Sequence, residues 1–203
     1  RDENFSSFVE IVLATAFDKK NTDLKSLFLE ENLEGQRQAL IQKIGENILP
    51  RRALSIEAPT IGSYLHSNNK IGVLVGMRGD DPELAQNVAM HIAALNPVVV
   101  ESKDMPPEVL AAEKKIYAAQ ANETGKPEKI IKKMVSGRIN KFLKENSLMD
   151  QPFVKDGDIT VGDLVKKNNS EILCFERFEV GEGIQVDEVD FAAEVAEQLK
   201  STT

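Results

Sequence analysis

The side chains best suited to nucleophilic or metal chemistry are few: His66, His91 and the single cysteine, Cys174. Neither histidine has a Cys, His or carboxylate at metal-ligand spacing, so no zinc site is expected. Ser63 lies three residues before His66. Positions so close in one extended segment do not make a nucleophile and base with a third group to orient them. The tetrapeptide "TGKP" at 124–127 matches only the end of a phosphate-binding loop. The upstream glycine and the Ser or Thr after the lysine are both missing. "EVGEG" at 179–183 follows an extended run but is acidic, which repels phosphate. Cys174 alternates with Ile172 and Phe175 and is expected to be a buried thiol, inert as a nucleophile. His91 lies on or beside the apolar face of a helical segment and is expected to be a packed, hydrogen-bonded residue. What remains is a protein that binds through its surface, with no cofactor and no metal expected.

Composition supports that reading. Hydrophobic residues make up 41% and charged residues 29% of the 203 residues, ordinary for a globular chain with a real core. The formal net charge of −8 repels a nucleic-acid backbone, and 5% aromatics without Trp give little to stack bases on. No apolar run approaches the roughly 20 residues of a membrane span. One cysteine excludes an internal disulfide and fits a reducing compartment, so a cytoplasmic location is expected. The chain starts at "RDENFSSF", which has the look of the interior of a longer protein.

The elements that would position these residues follow from periodicity. Residues 4–17 carry Phe5, Phe8, Val9, Val12, Leu13 and Ala16 at helical spacing, with Asn4 or Ser6 as cap. A second helix fits 34–47. From Pro50 the period switches to two, and "RRALSIEA" followed by "TIGSYLHSNNKIGVLVGMRG" reads as three antiparallel strands. The last two are joined at Asn68-Asn69, because Asn tolerates positive φ. His66 stands at that bend. A helix over about 81–95 follows, capped by Asp80 or Asp81 with Pro82 at its first position. Residues 106–147 form a helical hairpin broken at Gly125-Lys126-Pro127. Its expected seam is Val109, Ala112, Ile116 and Ala119 against Ile131, Met134, Val135, Ile139 and Phe142. Lys126, Lys129, Lys132, Lys133, Lys141 and Lys144 make the second arm basic, either as a solvated face or as a contact for an acidic partner. A loop "SLMDQPFVKDGD", a short helix "ITVGDLVKKNN", an alternating strand "EILCFERFEVGEG" and an amphipathic helix "VDFAAEVAEQLK" complete the chain. A weak internal repeat relates residues 35–58 to 160–180.

Seven stretches, "QRQALIQKIGENI", "GSYLHSNNKIGVLV", "VAMHIAALNP", "GKPEKIIKKMVSGRINKF", "SLMDQPFVKD", "TVGDLV" and "RFEVGEGI", together resemble the elongation factor Ts family of bacterial translation. They occur in family order over nearly the whole chain. The resemblance implies an α+β fold of two related subdomains with small antiparallel sheets and helices on one face, plus a protruding antiparallel coiled-coil hairpin and a C-terminal helix. The boundaries expected are 1–58, 59–105 with 148–184, the hairpin insertion 106–147, and a closing module 185–203. It also implies a nucleotide-exchange factor, not an enzyme, whose partner is the GTPase elongation factor Tu.

By the same resemblance the partner-contacting positions fall on Ile44 and Gly45, on His66, and on Val154 and Lys155 after "QPF". Phe191, Val195 and Leu199 of the closing helix complete the set. Taken without the resemblance, His66 would simply bond its own turn, and the closing helix would pack on the core. The family's N-terminal helical domain, its Thr-Asp-Phe-Val segment and the first subdomain's opening hairpin are expected to be absent here, with weaker exchange as the consequence. A scaffolding module that homodimerises through the hairpin is the alternative. An enzyme acting through His66 or Cys174 is a third.

Overall fold

The computed structural model describes residues 2–30 and 32–183. It divides into two compact units, Arg1–Glu57 and Ala58–Thr203.

The first unit is helical. Helix α1 spans Glu3–Asp18 and is capped not by Asn4 or Ser6 but by Asp2, whose carboxylate accepts the N–H groups of Asn4 and Phe5. Phe8, Val12 and Ala16, four residues apart, face the unit's core, whereas Phe5, Val9 and Leu13 of the expected stripe are exposed. Helix α2 (Leu24–Glu30), too short to announce itself by periodicity, contributes Leu27. Helix α3 (Leu33–Ile44) contributes Leu33 and Leu40. Phe8 and Phe28 meet edge to face at 6.2 Å. The segment after α3 corrects an expectation: residues 51–58 form no strand. Leu54, Ile56 and Ala58 are half-buried and Ser55 and Glu57 exposed, so the period of two is real. A strand also needs a neighbour to take its backbone hydrogen bonds, and none among the described residues does so.

The second unit is α+β. Strands β1 (Thr60–Leu65) and β2 (Ile71–Arg78) form an antiparallel hairpin with Leu65 opposite Gly72. Helix α4 (Pro82–Leu95) starts with Asp81 as cap and Pro82 in the first turn, and packs on that hairpin. The approach is close: a Cβ at Gly62 would lie 2.2 Å from the Ala85 carbonyl oxygen. Helices α5 (Pro107–Asn122) and α6 (Glu128–Asn146) follow and pack on each other as a helical hairpin.

The α6 seam is as expected, but the α5 seam is not. Ala112, Ile116 and Ala119 are exposed, and Leu110, Tyr117 and Ala121 turn inward with Val109. The Arg138 guanidinium sits 5.7 Å above the Tyr117 ring and bonds Gln120, which selects that register over the purely aliphatic one. At the hairpin's base, Val98 N–H donates to Asn146 and Leu148 N–H to Val99, fastening both ends together.

The short strands β3 (Pro152–Phe153) and β4 (Asp156–Thr160) pair with each other, in the stretch expected to be a plain loop. Helix α7 (Val161–Lys167) then leads to β5 (Glu171–Glu179), which takes the third place in the sheet, order β1-β2-β5. The core between sheet and helices holds Val73, Val75, Met77, Leu84, Val88, Ile92, Leu148, Phe153, Val161, Val165 and Ile172.

A second correction concerns Cys174, which is exposed. The ladder slips between Gly76 and Met77, so Ile172 faces Met77 while Cys174 faces Gly76. The extra residue, Leu173, reverses the alternation and turns the thiol to the outer face.

Candidate functional site

Ile44 and Gly45 stand where α3 stops. Gly45 takes a left-handed conformation, φ +80°, and its N–H closes on the Ile41 carbonyl at 2.8 Å. No other atom fills the space beside it, so within the chain it is the left-handed turn, not packing, that calls for glycine. Ile44 is half-buried against the first unit's core. The chain beyond the turn is held by Arg37, which bonds both carboxylate oxygens of Glu34 and donates to the Ile48 carbonyl at 2.8 Å. That guanidinium keeps the Glu34 carboxyl far below its ordinary range, at about 2.

His66 ends β1. Its N–H donates to Ile71 and its carbonyl accepts from Asn69, whose φ of +56° completes the bend. The imidazole Nδ1 is 3.3 Å from the Tyr64 hydroxyl, and the ring is half-buried. The backbone of His66 thus bonds its own turn, and its ring is left partly open to solvent.

Val154 and Lys155 form the turn between β3 and β4. Val154 is 43% exposed between neighbours that are anchored. Phe153 is buried and stacks on the His91 ring, with centroids 5.9 Å apart. His91 itself is fully buried and uses both nitrogens: Nδ1 accepts the Val154 N–H at 3.1 Å, and Nε2 lies 2.9 Å from Gln151 Oε1. A main-chain N–H can only donate, so Nδ1 carries no proton and Nε2–H donates to Gln151. Gln151 passes the bond on, donating from Nε2 to the Glu145 carbonyl at 2.6 Å. Burial pushes the His91 imidazole below its ordinary value, more than the Gln151 bond raises it. One helical turn before, Asn87 accepts from Lys155 Nζ at 2.7 Å.

Among the expected site residues, the structure therefore brings Val154 and Lys155 together on α4. His66 is held on the β1–β2 hairpin of the same unit, and Ile44 and Gly45 in the first unit. Phe191, Val195 and Leu199 lie outside the described residues. Asn87 and Gln151 were not singled out from sequence. The one hint was that Asn87 shares a helix face with His91, four residues on. Among the described residues no three His, Cys, Asp or Glu side chains are grouped to hold a metal. No described helix is long and apolar enough to cross a membrane.

These features define a helical unit and an α+β unit that carries a helical hairpin, with the candidate contact groups set on turns and a helix cap. The family model for "Elongation factor TS" matches residues 1–182. The chain is 56% identical to elongation factor Ts of Hahella chejuensis over 200 residues, covering 98% of this chain and 70% of that one. It is 55% identical to those of Saccharophagus degradans and Teredinibacter turnerae, covering all of this chain and 70% of each relative. The chain belongs to the elongation factor Ts family, whose role lies in translation elongation.

Proposed function

We propose that this protein is a guanine-nucleotide exchange factor that docks on the GTPase elongation factor Tu in the cytoplasm and promotes release of GDP. The observation that carries the reading is the family match over residues 1–182, which takes in all of the first unit, most of the second and every described candidate contact. In this reading Ile44, Gly45, His66, Val154 and Lys155 are docking groups, joined by Phe191, Val195 and Leu199, and no nucleic acid or membrane takes part. The residues 106–147 are an insertion in the second subdomain.

No covalent step is required of the chain. Exchange follows if it binds the empty GTPase more tightly than the GDP-loaded one. A factor with equal affinity for both would shift nothing, however tight. Linkage is reciprocal, so GDP weakens the chain's grip by the same ratio as the chain weakens GDP's.

The test is the affinity of this chain for nucleotide-free and GDP-loaded elongation factor Tu, with fluorescent-GDP release measured alongside. Tighter binding to the empty form, with release accelerated in proportion to occupancy, supports the reading. Equal affinity for the two forms overturns it. A chain that sediments as a homodimer and ignores the GTPase would favour the scaffolding alternative.

A further inference from the structure

We infer that Asn87 and His91 are positioning residues for docking: one face of α4 fixes the turn that presents Val154 and Lys155. The inference rests on the docking reading above and adds to it a buried residue with no surface of its own.

The geometry is specific to that task. Asn87 and His91 are four residues apart, hence stacked on successive turns of one helix face. They hold three consecutive residues, the last of β3 and the two of the turn. His91 stacks on Phe153 and accepts the Val154 N–H, and Asn87 accepts from Lys155. The pairing of β3 with β4 is irregular between Pro152 and Phe153, where Phe153 pairs with Asp156. Val154 and Lys155 lie beyond that last pair, so the ladder offers the Val154 N–H no acceptor.

An apolar residue in place of His91 would fill the same space without that acceptor, leaving a donor unpaired. An imidazole in a core is costly unless both nitrogens are matched. Here both are, and the second bond, through Gln151 to the Glu145 carbonyl, ties the same clamp to the end of α6. The outcome is an apolar side chain, Val154, held in the open by a backbone that cannot turn it inward.

Three variants of the full chain separate positioning from packing. His91→Gln keeps an amide N–H near the Nε2 position for Gln151 but removes the acceptor for Val154. His91→Asn keeps an oxygen near Nδ1 for Val154 and gives up Gln151. Asn87→Ala removes only the Lys155 tether, at the edge of the fold, and so reports even if a His91 variant fails to fold. Each is measured for binding to nucleotide-free elongation factor Tu and for hydrogen exchange of the Val154 amide.

His91→Gln is expected to weaken binding about tenfold and Asn87→Ala about threefold, while His91→Asn restores binding to within about threefold of the parent. Val154 exchange should rise in His91→Gln and not in His91→Asn. If His91→Gln frees the Val154 amide yet it and Asn87→Ala bind like the parent, the inference is overturned and the docking reading stands. Binding lost alike in His91→Gln and His91→Asn, with Val154 still protected in the latter, also overturns it, since packing alone then explains the loss. If the parent chain does not bind the GTPase, the docking reading fails first and takes the inference with it.

Discussion

Gly62 sits where β1 crosses α4, and replacing it by alanine tests that crossing directly. The added methyl would lie 2.2 Å from the Ala85 carbonyl oxygen, 2.3 Å from its carbon and 2.9 Å from Val75 Cγ1. Two of those three atoms are backbone, so no rotamer change relieves the clash. Strand and helix must part by about 1 Å to reach ordinary contact, and a gap of that size forfeits roughly a quarter to a half of the dispersion energy across it. Tyr64, Val73 and Val75 on one side and Ala85, Val88 and Ala89 on the other share that loss. The expected cost is about 3 kcal/mol, the upper end for overpacking.

The chain has no Trp and two tyrosines, Tyr64 and Tyr117, both in the second unit, so tyrosine fluorescence reports on that unit selectively. With a urea slope near 1.5 kcal/mol per molar, Gly62→Ala should lower the midpoint by about 2 M. Gly137→Ala, in the open on α6, makes the same chemical change and should raise stability by about 0.5–1 kcal/mol through backbone entropy. A Gly62→Ala midpoint within about 0.3 M of the parent would refute the close approach of β1 to α4.

Three further outcomes are expected. Because burial holds His91 below its ordinary value of 6.5, the unfolded chain takes up a proton near that pH which the native imidazole refuses. Stability of the second unit should therefore fall as pH drops below about 6.5, level off below the folded value, and lose this component in His91→Gln, as read by urea midpoints from about pH 8 to about pH 5. In the hairpin, Tyr117→Ala should cost about 2 kcal/mol and Ile116→Ser less than about 0.5, by hydrogen exchange of α5 and α6 amides, with the opposite ranking rejecting the observed seam. Gly45→Ala should destabilise the first unit by about 1–2 kcal/mol from the left-handed backbone alone, seen as faster exchange of the Leu27 and Leu40 amides and no change in the tyrosine signal.

What the sequence disclosed was local. Asp81-Pro82 marks a helix start by cap chemistry and fixed φ, and the structure begins α4 there. The Asn68-Asn69 turn is equally local, and β1 and β2 pair around it. The misses in the second unit's sheet and hairpin, and in the strand expected over 51–58, were cases where a distant segment decides. Residues 51–58 alternate as a strand should, but a ladder requires a neighbour. The third place beside β2 went to β5, about a hundred residues away. Cys174 would face inward if β5 alternated regularly, and only pairing with β2 reveals the bulge that turns it out. On α5 a search for aliphatic residues selects Ile116, whereas the partner helix supplies Arg138 and so favours the ring of Tyr117. For His91 the sequence suggested a packed histidine. That its Nδ1 holds a residue 63 positions later could not be read from any spacing.

That last case bears on how a protein can act on a partner while presenting few distinctive groups. On the docking reading, Val154 and His66 would be modest contact groups, one a half-exposed aliphatic and the other a half-buried ring. Their backbones, however, are fixed before any encounter: Val154 by His91, and His66 by Ile71 and Asn69. Ordering a free side chain on binding costs about 0.5–1.5 kcal/mol, and ordering a loop costs more. On the docking reading this cost has been met in folding, so the same few contacts translate more fully into affinity. It also sharpens discrimination between nucleotide states. A loose turn could adapt to both forms of the GTPase and would bind them more nearly alike. On the same reading a turn held by α4 would fit one form better, and only such a difference in fit can expel a nucleotide. Loosening the turn should therefore narrow the gap between empty and GDP-loaded affinities, chiefly by weakening the tighter of the two.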